Sequence, residues 1–305
     1  MCRSASFDKF VSPTLPQYLL AALFWLLIHV AAMPAQLNAQ ERVPGAGFKL
    51  YGPQDQGPAP SWQVGGSGFY TSGKYGTNTR TNTLYVPLSL RRLFENGDLT
   101  LVIPYVTVTS NCGVTVVSGE PIPTGGLCPS NSTTGTFPSR VTESGLGDVL
   151  LIGRYYLYTE REEGLMPSVL LLGRIKAPTA DRDRGLGTGE WDEGAGLGLT
   201  KVLSENLVGL ADVGYTLIGD PPGANLLNQW SYDVGLGYYF SPSVLGTLFY
   251  EEASALVSGF QHPRDIFAGL GWNVTQDFRL STGVEKGLSS GAPEFGFTVG
   301  ARMQF

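Results

Sequence analysis

Charge is scarce in this chain. Asp, Glu, Lys and Arg together make up 15% of its 305 residues, against about a quarter in an ordinary soluble domain. The formal net charge of −6 excludes electrostatic binding of nucleic acid, which requires a basic surface. Histidine is nearly missing, with two in all, and only His262 lies beyond the first forty residues. Cysteine is limited to Cys2, Cys112 and Cys128, so neither a zinc set nor a cysteine-rich scaffold can be assembled. Beyond the N-terminal segment no apolar run approaches the roughly 20 residues of a spanning helix. What the chain has instead is glycine, 41 residues, and aromatics, 11%. That balance fits a sheet protein whose outer face meets lipid better than a helical enzyme.

The N-terminus reads as an export signal. Arg3 and Lys9 precede an apolar run from Tyr18 to about Ala32, followed by small residues up to Ala39. A basic start, an apolar middle and a small-residue exit define a secretory leader. The apolar run is too short for a retained anchor, the competing reading. The expected organisation is a leader at 1–39, with Ala35 as an alternative cleavage position, a periplasmic segment at 40–61 and one folded unit at 62–305. Removing Arg3, Lys9 and Asp8 takes away a net +1, which leaves the mature chain near −7. In an exported protein the remaining pair, Cys112 and Cys128, is expected to form a disulfide. Closure of that loop would be worth about 3 kcal/mol in the chain-entropy account. Two free thiols are the alternative.

From Trp62 onward one theme repeats. Segments alternate apolar with small or polar residues and are separated by turn-forming residues, which predicts strands with two unlike faces. Twelve are expected: Trp62–Gly73, Thr81–Leu93, Leu99–Thr109, Asp148–Tyr158, Met166–Ala177, Trp191–Val202, Leu207–Ile218, Trp230–Phe240, Val244–Ala253, Asp265–Asn273, Phe278–Gly287 and Glu294–Phe305. Asn96-Gly97 supplies the positive φ that a tight hairpin needs. A Gly/Ser/Thr/Pro stretch reaching Glu143 reads as one long loop. Short and long connections alternate, and an even strand count puts both termini on one side. Both are habits of outer-membrane barrels, and a soluble β-sandwich, the rival architecture, shows neither. The predicted fold is all-β: a transmembrane antiparallel up-and-down barrel of about twelve strands.

The faces follow from cost. A Lys or Arg on the lipid side at mid-membrane costs about 2–4 kcal/mol, so Arg154, Arg174 and Arg302 are predicted to point inward. Their neighbours then face lipid: Val149, Leu151 and Leu157; Val169, Leu171 and Ile175; Phe295, Phe297, Val299 and Phe305. In Thr81–Leu93 the lipid set is Leu84, Val86, Leu88 and Leu90. The expected lumen and constriction set is Asp148, Arg154, Tyr156, Arg174, Lys176, Asp212, Asp233, Glu285 and Arg302, with opposite charges paired across a narrow polar channel. Gly194, Gly196, Gly198, Gly235 and Gly237 are expected to make room. Twelve strands lie between the filled eight-stranded and the open sixteen-stranded barrel, so bracing of a closed structural barrel is the alternative to transport. Trp62, Trp191, Trp230 and Trp272 fall near strand ends, where amphipathic rings favour the membrane boundary.

Catalysis finds no footing. A barrel hydrolase needs nucleophile, base and orienting group, and His262 is followed by Pro263 and Arg264 with no serine two residues on. Glu251-Glu252 and Asp192-Glu193 are adjacent, so each pair splits across two faces. Asp181-Arg182-Asp183-Arg184 is either a Ca²⁺ or lipopolysaccharide-phosphate contact or, as such runs usually are, a solvated loop. Gly185–Gly189 lacks the strand–loop–helix setting of a phosphate loop. No catalytic residue, cofactor or metal is expected.

Several stretches carry a resemblance: SGLGDVLLIGRYYL (Ser144–Leu157), GRIKAPTADRD (Gly173–Asp183), GLGTGEWD (Gly185–Asp192), GYTLIGDPPG (Gly214–Gly223) and EKGLSSGAPEFGFTVGARMQF (Glu285–Phe305). From Ser144 to its end the chain resembles an outer-membrane family named for the meta-pathway of phenol degradation and often described as transporters. Ala180 replaces the usual glycine, and Ala292-Pro293-Glu294 the usual Ser-Pro-Asp. The resemblance implies a barrel that passes small aromatic or apolar solutes in the bacterial outer membrane, among lipid and lipopolysaccharide. The terminal Phe305 looks like the signal read by the barrel assembly machinery.

Overall fold

The computed structural model describes residues 61–110, 114–117, 120–123, 140–160, 165–221 and 223–305. The expected leader, nearly all of the 40–61 segment, Cys112 and Cys128 lie outside the described residues, and the disulfide with them.

Among the described residues fifteen strands follow in order. They are β1 (Trp62–Gly73), β2 (Thr81–Phe94), β3 (Gly97–Ser110), β4 (Val114–Val117), β5 (Glu120–Pro123), β6 (Val141–Leu146), β7 (Val149–Tyr158) and β8 (Ser168–Ala177). Then come β9 (Asp192–Ser204), β10 (Leu207–Leu217), β11 (Gln229–Ser241), β12 (Val244–Ala253), β13 (Arg264–Asn273), β14 (Phe278–Gly287) and β15 (Phe295–Gln304). All neighbours pair antiparallel, and β1 closes the sheet on β15 from Gln63↔Gln304 to Ser72↔Phe295. Trp62 and Phe305 exchange backbone hydrogen bonds at 2.9 Å each way. The terminal residue thus completes the seam.

The β6 and β7 strands are one stave. The β3 strand pairs with β6 along its outer half and with β7 along its inner half. Thirteen strands in the sheet therefore make a twelve-stave barrel. The break falls at Gly147-Asp148, where a Cβ on Gly147 would lie 2.8 Å from Val106. This corrects the sequence reading of a single loop up to Glu143. Val141–Leu146 has weak alternation, so its strand state is set by pairing with β3. A further part of that stretch forms the hairpin β4–β5 outside the barrel sheet.

Two-residue turns at Glu95-Asn96, Glu205-Asn206 and Pro242-Ser243 lie at the end that carries the strand termini, which is the periplasmic end in this architecture. We call it the inner end. The exterior is apolar along the staves. Leu88, Leu101, Ile103, Leu197, Leu199, Val213, Val234, Leu236, Leu248, Leu270, Val284, Phe297 and Val299 are all exposed. A contiguous band of this size is tolerated only against lipid. With every interior stave hydrogen-bonded on both sides, the backbone needs no water while crossing. The fold is that of a bacterial outer-membrane barrel.

Aromatics gather at the two rims. Trp62 at the inner rim carries the Arg92 guanidinium 5.0 Å from its ring centroid. At the outer rim Trp230 stacks on Tyr232 at 5.6 Å. The adjacent acids resolve as alternation requires: Glu251 turns inward and Glu252 outward. Glu252 accepts hydrogen bonds from Tyr232 and Tyr250, each 2.7 Å. It also lies 3.4 Å from Nδ1 of His262, so that histidine sits in an outer loop among rim residues.

Candidate functional site: the barrel lumen

Alternation decides which side chains enter the lumen, and the register decides which of them meet. Lys176, only 1% exposed, is the centre of the first meeting. Its Nζ lies 2.8 Å from Asp192 and 3.3 Å from Asp148. It also donates to the Thr188 hydroxyl at 2.9 Å. Asp148 in turn accepts from the Ala180 amide and Asp192 from the Gly219 amide, each 3.0 Å. The sequence segments around Asp148, Lys176, Thr188 and Asp192 thus fold the 178–191 loop down into the outer mouth. Leu186 at its tip is 1% exposed and packs with Phe69, Tyr85, Val106, Val108 and Val116. The hairpin adds Val116 to that cluster, and Val117 to a second one with Ile218, Leu226 and Leu256 from two other outer loops. The outer mouth is therefore covered by apolar contacts.

At the inner end Asp98 pairs with Arg91 at 2.5 Å and faces Arg154 at 3.8 Å. All three are buried, which is tolerable because opposite charges meet. Thr100 adds a hydrogen bond to Asp98 at 3.1 Å. Arg174 is half-buried and donates to Thr216 at 2.8 Å.

Several of the remaining inward charges stand directly opposite like charges in the register. Asp212 is the direct cross-strand partner of Asp233. Asp233 is the partner of Glu251, and Glu251 of Asp265. Four acids on four consecutive staves form one row, and Glu285 lies inward on the next stave beside Phe267. Asp265 is one residue from the outer end of β13 and Glu251 two from that of β12, so the row climbs through the outer half. The basic counterpart is at the inner end, where Arg279 is the direct partner of Arg302. Like charges directly opposite each other are destabilising.

Between these lies an apolar wall that the sequence reading of a polar channel did not foresee. Leu170, Val208, Leu210, Phe249 and Phe267 form a buried cluster with Tyr156 and Tyr239 against it. Tyr156 belongs to this wall by its packing. Val102, Leu150, Ile152 and Leu172 form a neighbouring cluster. The glycines are occupied too. A Cβ on Gly235 would lie 2.4 Å from the Phe249 ring, and one on Gly283 2.2 Å from Phe267. A Cβ on Gly194 would lie 3.0 Å from Arg174. Each seats a large side chain against the wall, and at Gly194 and Gly235 the sequence reading expected room in the lumen.

Of the expected lumen set, Asp148, Lys176 and Arg154 belong to buried charge clusters, and Asp212 and Asp233 to the acidic row. Arg174, Glu285 and Arg302 lie inward in other company. Missed were Arg91, Asp98, Thr188, Asp192, Glu251, Asp265 and Arg279. Most occupy inward positions by alternation, so the signal was present, but which residue each one meets is set by the register between paired strands. Among the described residues no group of three metal-ligating side chains converges.

A closed twelve-stave barrel with a lipid-facing exterior and a charged interior defines an outer-membrane β-barrel protein. The chain belongs to the family described as "Putative MetA-pathway of phenol degradation", whose pattern matches residues 98–305. Among solved structures it is similar to an outer membrane channel from Pseudomonas putida F1, at 13% identity and TM-score 0.63, covering 87% of this chain and 100% of that one. A weaker likeness is to the NanC porin, at 11% identity and TM-score 0.47, covering 79% of this chain and 98% of that one. No curated protein matches.

Proposed function

We propose that the protein is a passive outer-membrane channel for small solutes, including aromatic and apolar ones. One observation carries this reading. The lumen holds like charges as direct neighbours, Asp212, Asp233, Glu251 and Asp265 in one place and Arg279 with Arg302 in another. Acids gathered toward the outer half and arginines toward the inner end create a field along the lumen, which draws and orients solutes. The apolar wall with Phe249 and Phe267 offers a surface for the uncharged part of a solute. The Pseudomonas putida protein with the same fold is described as an outer membrane channel, which is consistent with this reading.

In this reading Asp148, Lys176 and Asp192 hold the outer loop across the mouth, and Phe305 completes the seam where the assembly machinery recognises the last strand. The chain performs no chemistry on its solute. The test is conductance in planar bilayers together with uptake of small aromatic solutes into liposomes. Measurable flux of either kind is expected. A barrel that inserts with native heat-modifiability and passes neither ions nor aromatics would establish the bracing role instead.

A further inference from the structure

The outer rim is not uniform around the barrel. On the arc from β13 to β2 the exposed charges on the outward side are mostly basic. Arg264 opens β13 and is exposed. On β14 the exposed Lys286 stands opposite the exposed Ile266. The Leu288 amide donates to the Arg264 carbonyl at 2.7 Å, so Arg264 and Lys286 are diagonal neighbours on one face, about 7–8 Å apart at the backbone and within reach of one ligand. Lys286 donates from Nζ to the Glu294 carbonyl at 2.9 Å. The Arg80 guanidinium lies 2.5 Å from the carboxylate of the same Glu294 and donates to Ser72 at 2.9 Å. Ser72 is opposite the exposed Phe295, which puts that guanidinium on the outward face as well. The β1–β2 turn adds the exposed Lys74.

Two acids border the arc. The Glu294 carboxylate is half-exposed against Arg80. Glu252 stands opposite Arg264 and already accepts the Tyr232 and Tyr250 hydroxyls. Further round, on β9, the exposed outward charge is acidic, Glu193. Directly below the cations the surface turns apolar. Ile266, Val284, Phe295 and Phe297 are exposed, and Tyr70 lies 6.1 Å from Phe295, ring to ring. Cations immediately above an acyl-chain surface match a lipid with an anionic head group in the facing leaflet, which at this end of the barrel is the outer one.

We propose that this arc is a docking site for the phosphorylated glycolipid of the outer leaflet, lipid A of lipopolysaccharide. Its phosphate takes charge-assisted bonds from Arg264, Lys286 and Arg80, and its acyl chains lie on Val284, Phe295 and Phe297. The proposal needs the barrel in the outer membrane and is independent of whether the lumen conducts.

The experiment uses the full barrel in an uncharged detergent, with fluorescent lipid A as the probe and anisotropy as the readout. Saturable binding is expected. Dephosphorylated lipid A and the two-chain anionic lipid phosphatidylglycerol should each bind about tenfold more weakly or worse, since one lacks the phosphate and the other the matching number of chains. The triple variant Arg80→Gln/Arg264→Gln/Lys286→Gln should lose about tenfold or more, the scale of charge-assisted hydrogen bonds. Arg184→Gln in the loop at the mouth should bind as wild type does. If the triple variant does not fold, raising the ionic strength on the wild type should weaken binding of lipid A and leave that of the dephosphorylated lipid unchanged. Inorganic phosphate in excess should not displace the probe. No saturable binding, equal affinity for dephosphorylated lipid or phosphatidylglycerol, indifference to both the triple variant and salt, or displacement by free phosphate would each overturn the proposal. Any of these results in a barrel that still passes solutes would leave the channel reading standing.

Discussion

The wall made by β14, β15, β1 and β2 and the wall made by β10 to β13 obey the same alternation, yet they face the lumen with opposite chemistry. The first presents arginines, serines and Gln63 around a cavity. The second presents Val208, Leu210, Phe249 and Phe267 toward the inner end and a row of four carboxylates toward the outer end. Alternation sets orientation and nothing more. The content of each inward position is free to vary, because every inward side chain is shielded from lipid equally well. The difference teaches that this lumen is graded both around its circumference and along its axis.

The contrast can be broken hardest at the node that ties the walls to the outer loop. Lys176→Met leaves Asp148 and Asp192 facing each other without their cation, and breaking a buried ion cluster in this way costs about 3–5 kcal/mol. Urea unfolding of the folded barrel should show that loss, and protease should cut the 178–191 loop faster. Next is the apolar wall. Phe249→Ala removes a side chain that is 1% exposed, a loss of about 3 kcal/mol, and single-channel conductance should rise because the ring no longer narrows the lumen. On the same wall, Gly283→Val drives a side chain into the Phe267 ring and should cost about 2 kcal/mol by overpacking, with conductance falling. The smallest effect sharpens the charge gradient. Asp233→Asn keeps the side chain's shape and removes one charge from the acidic row. It should lower the cation-to-anion permeability ratio measured from reversal potentials. An unchanged ratio would remove the acidic row from solute selection.

The fold was largely legible in advance. The strands Trp62–Gly73, Val244–Ala253 and Phe278–Gly287 end in the structure where the sequence pattern ends, because period-two alternation and turn residues are local signals. The lipid-facing sets on β2, β7, β8 and β15 follow from the high cost of charge in hydrocarbon, which the sequence displays directly. Val141–Leu146 escaped notice because its strand state comes from β3, far away in the chain. The site was half legible. Lys176 and Arg154 were predicted inward, but Arg91, Asp98 and Arg279 were not singled out, since their meaning lies in which residue stands opposite them. Tyr156 and Gly235 were placed among polar lumen features, and the packing sets both against an apolar wall.

By itself the sequence determined a closed sheet, greasy outside, with charges turned inward, because solvent cost acts on each residue separately and leaves its mark position by position. Only the tertiary structure decided that the carboxylates would line up on four neighbouring staves, that two arginines would face each other on β14 and β15 beside a cavity, and that a loop and a hairpin would cover the mouth. Those outcomes depend on register between paired strands and on contacts between loops. Register is a relation between residues, and alternation along a single strand does not encode it.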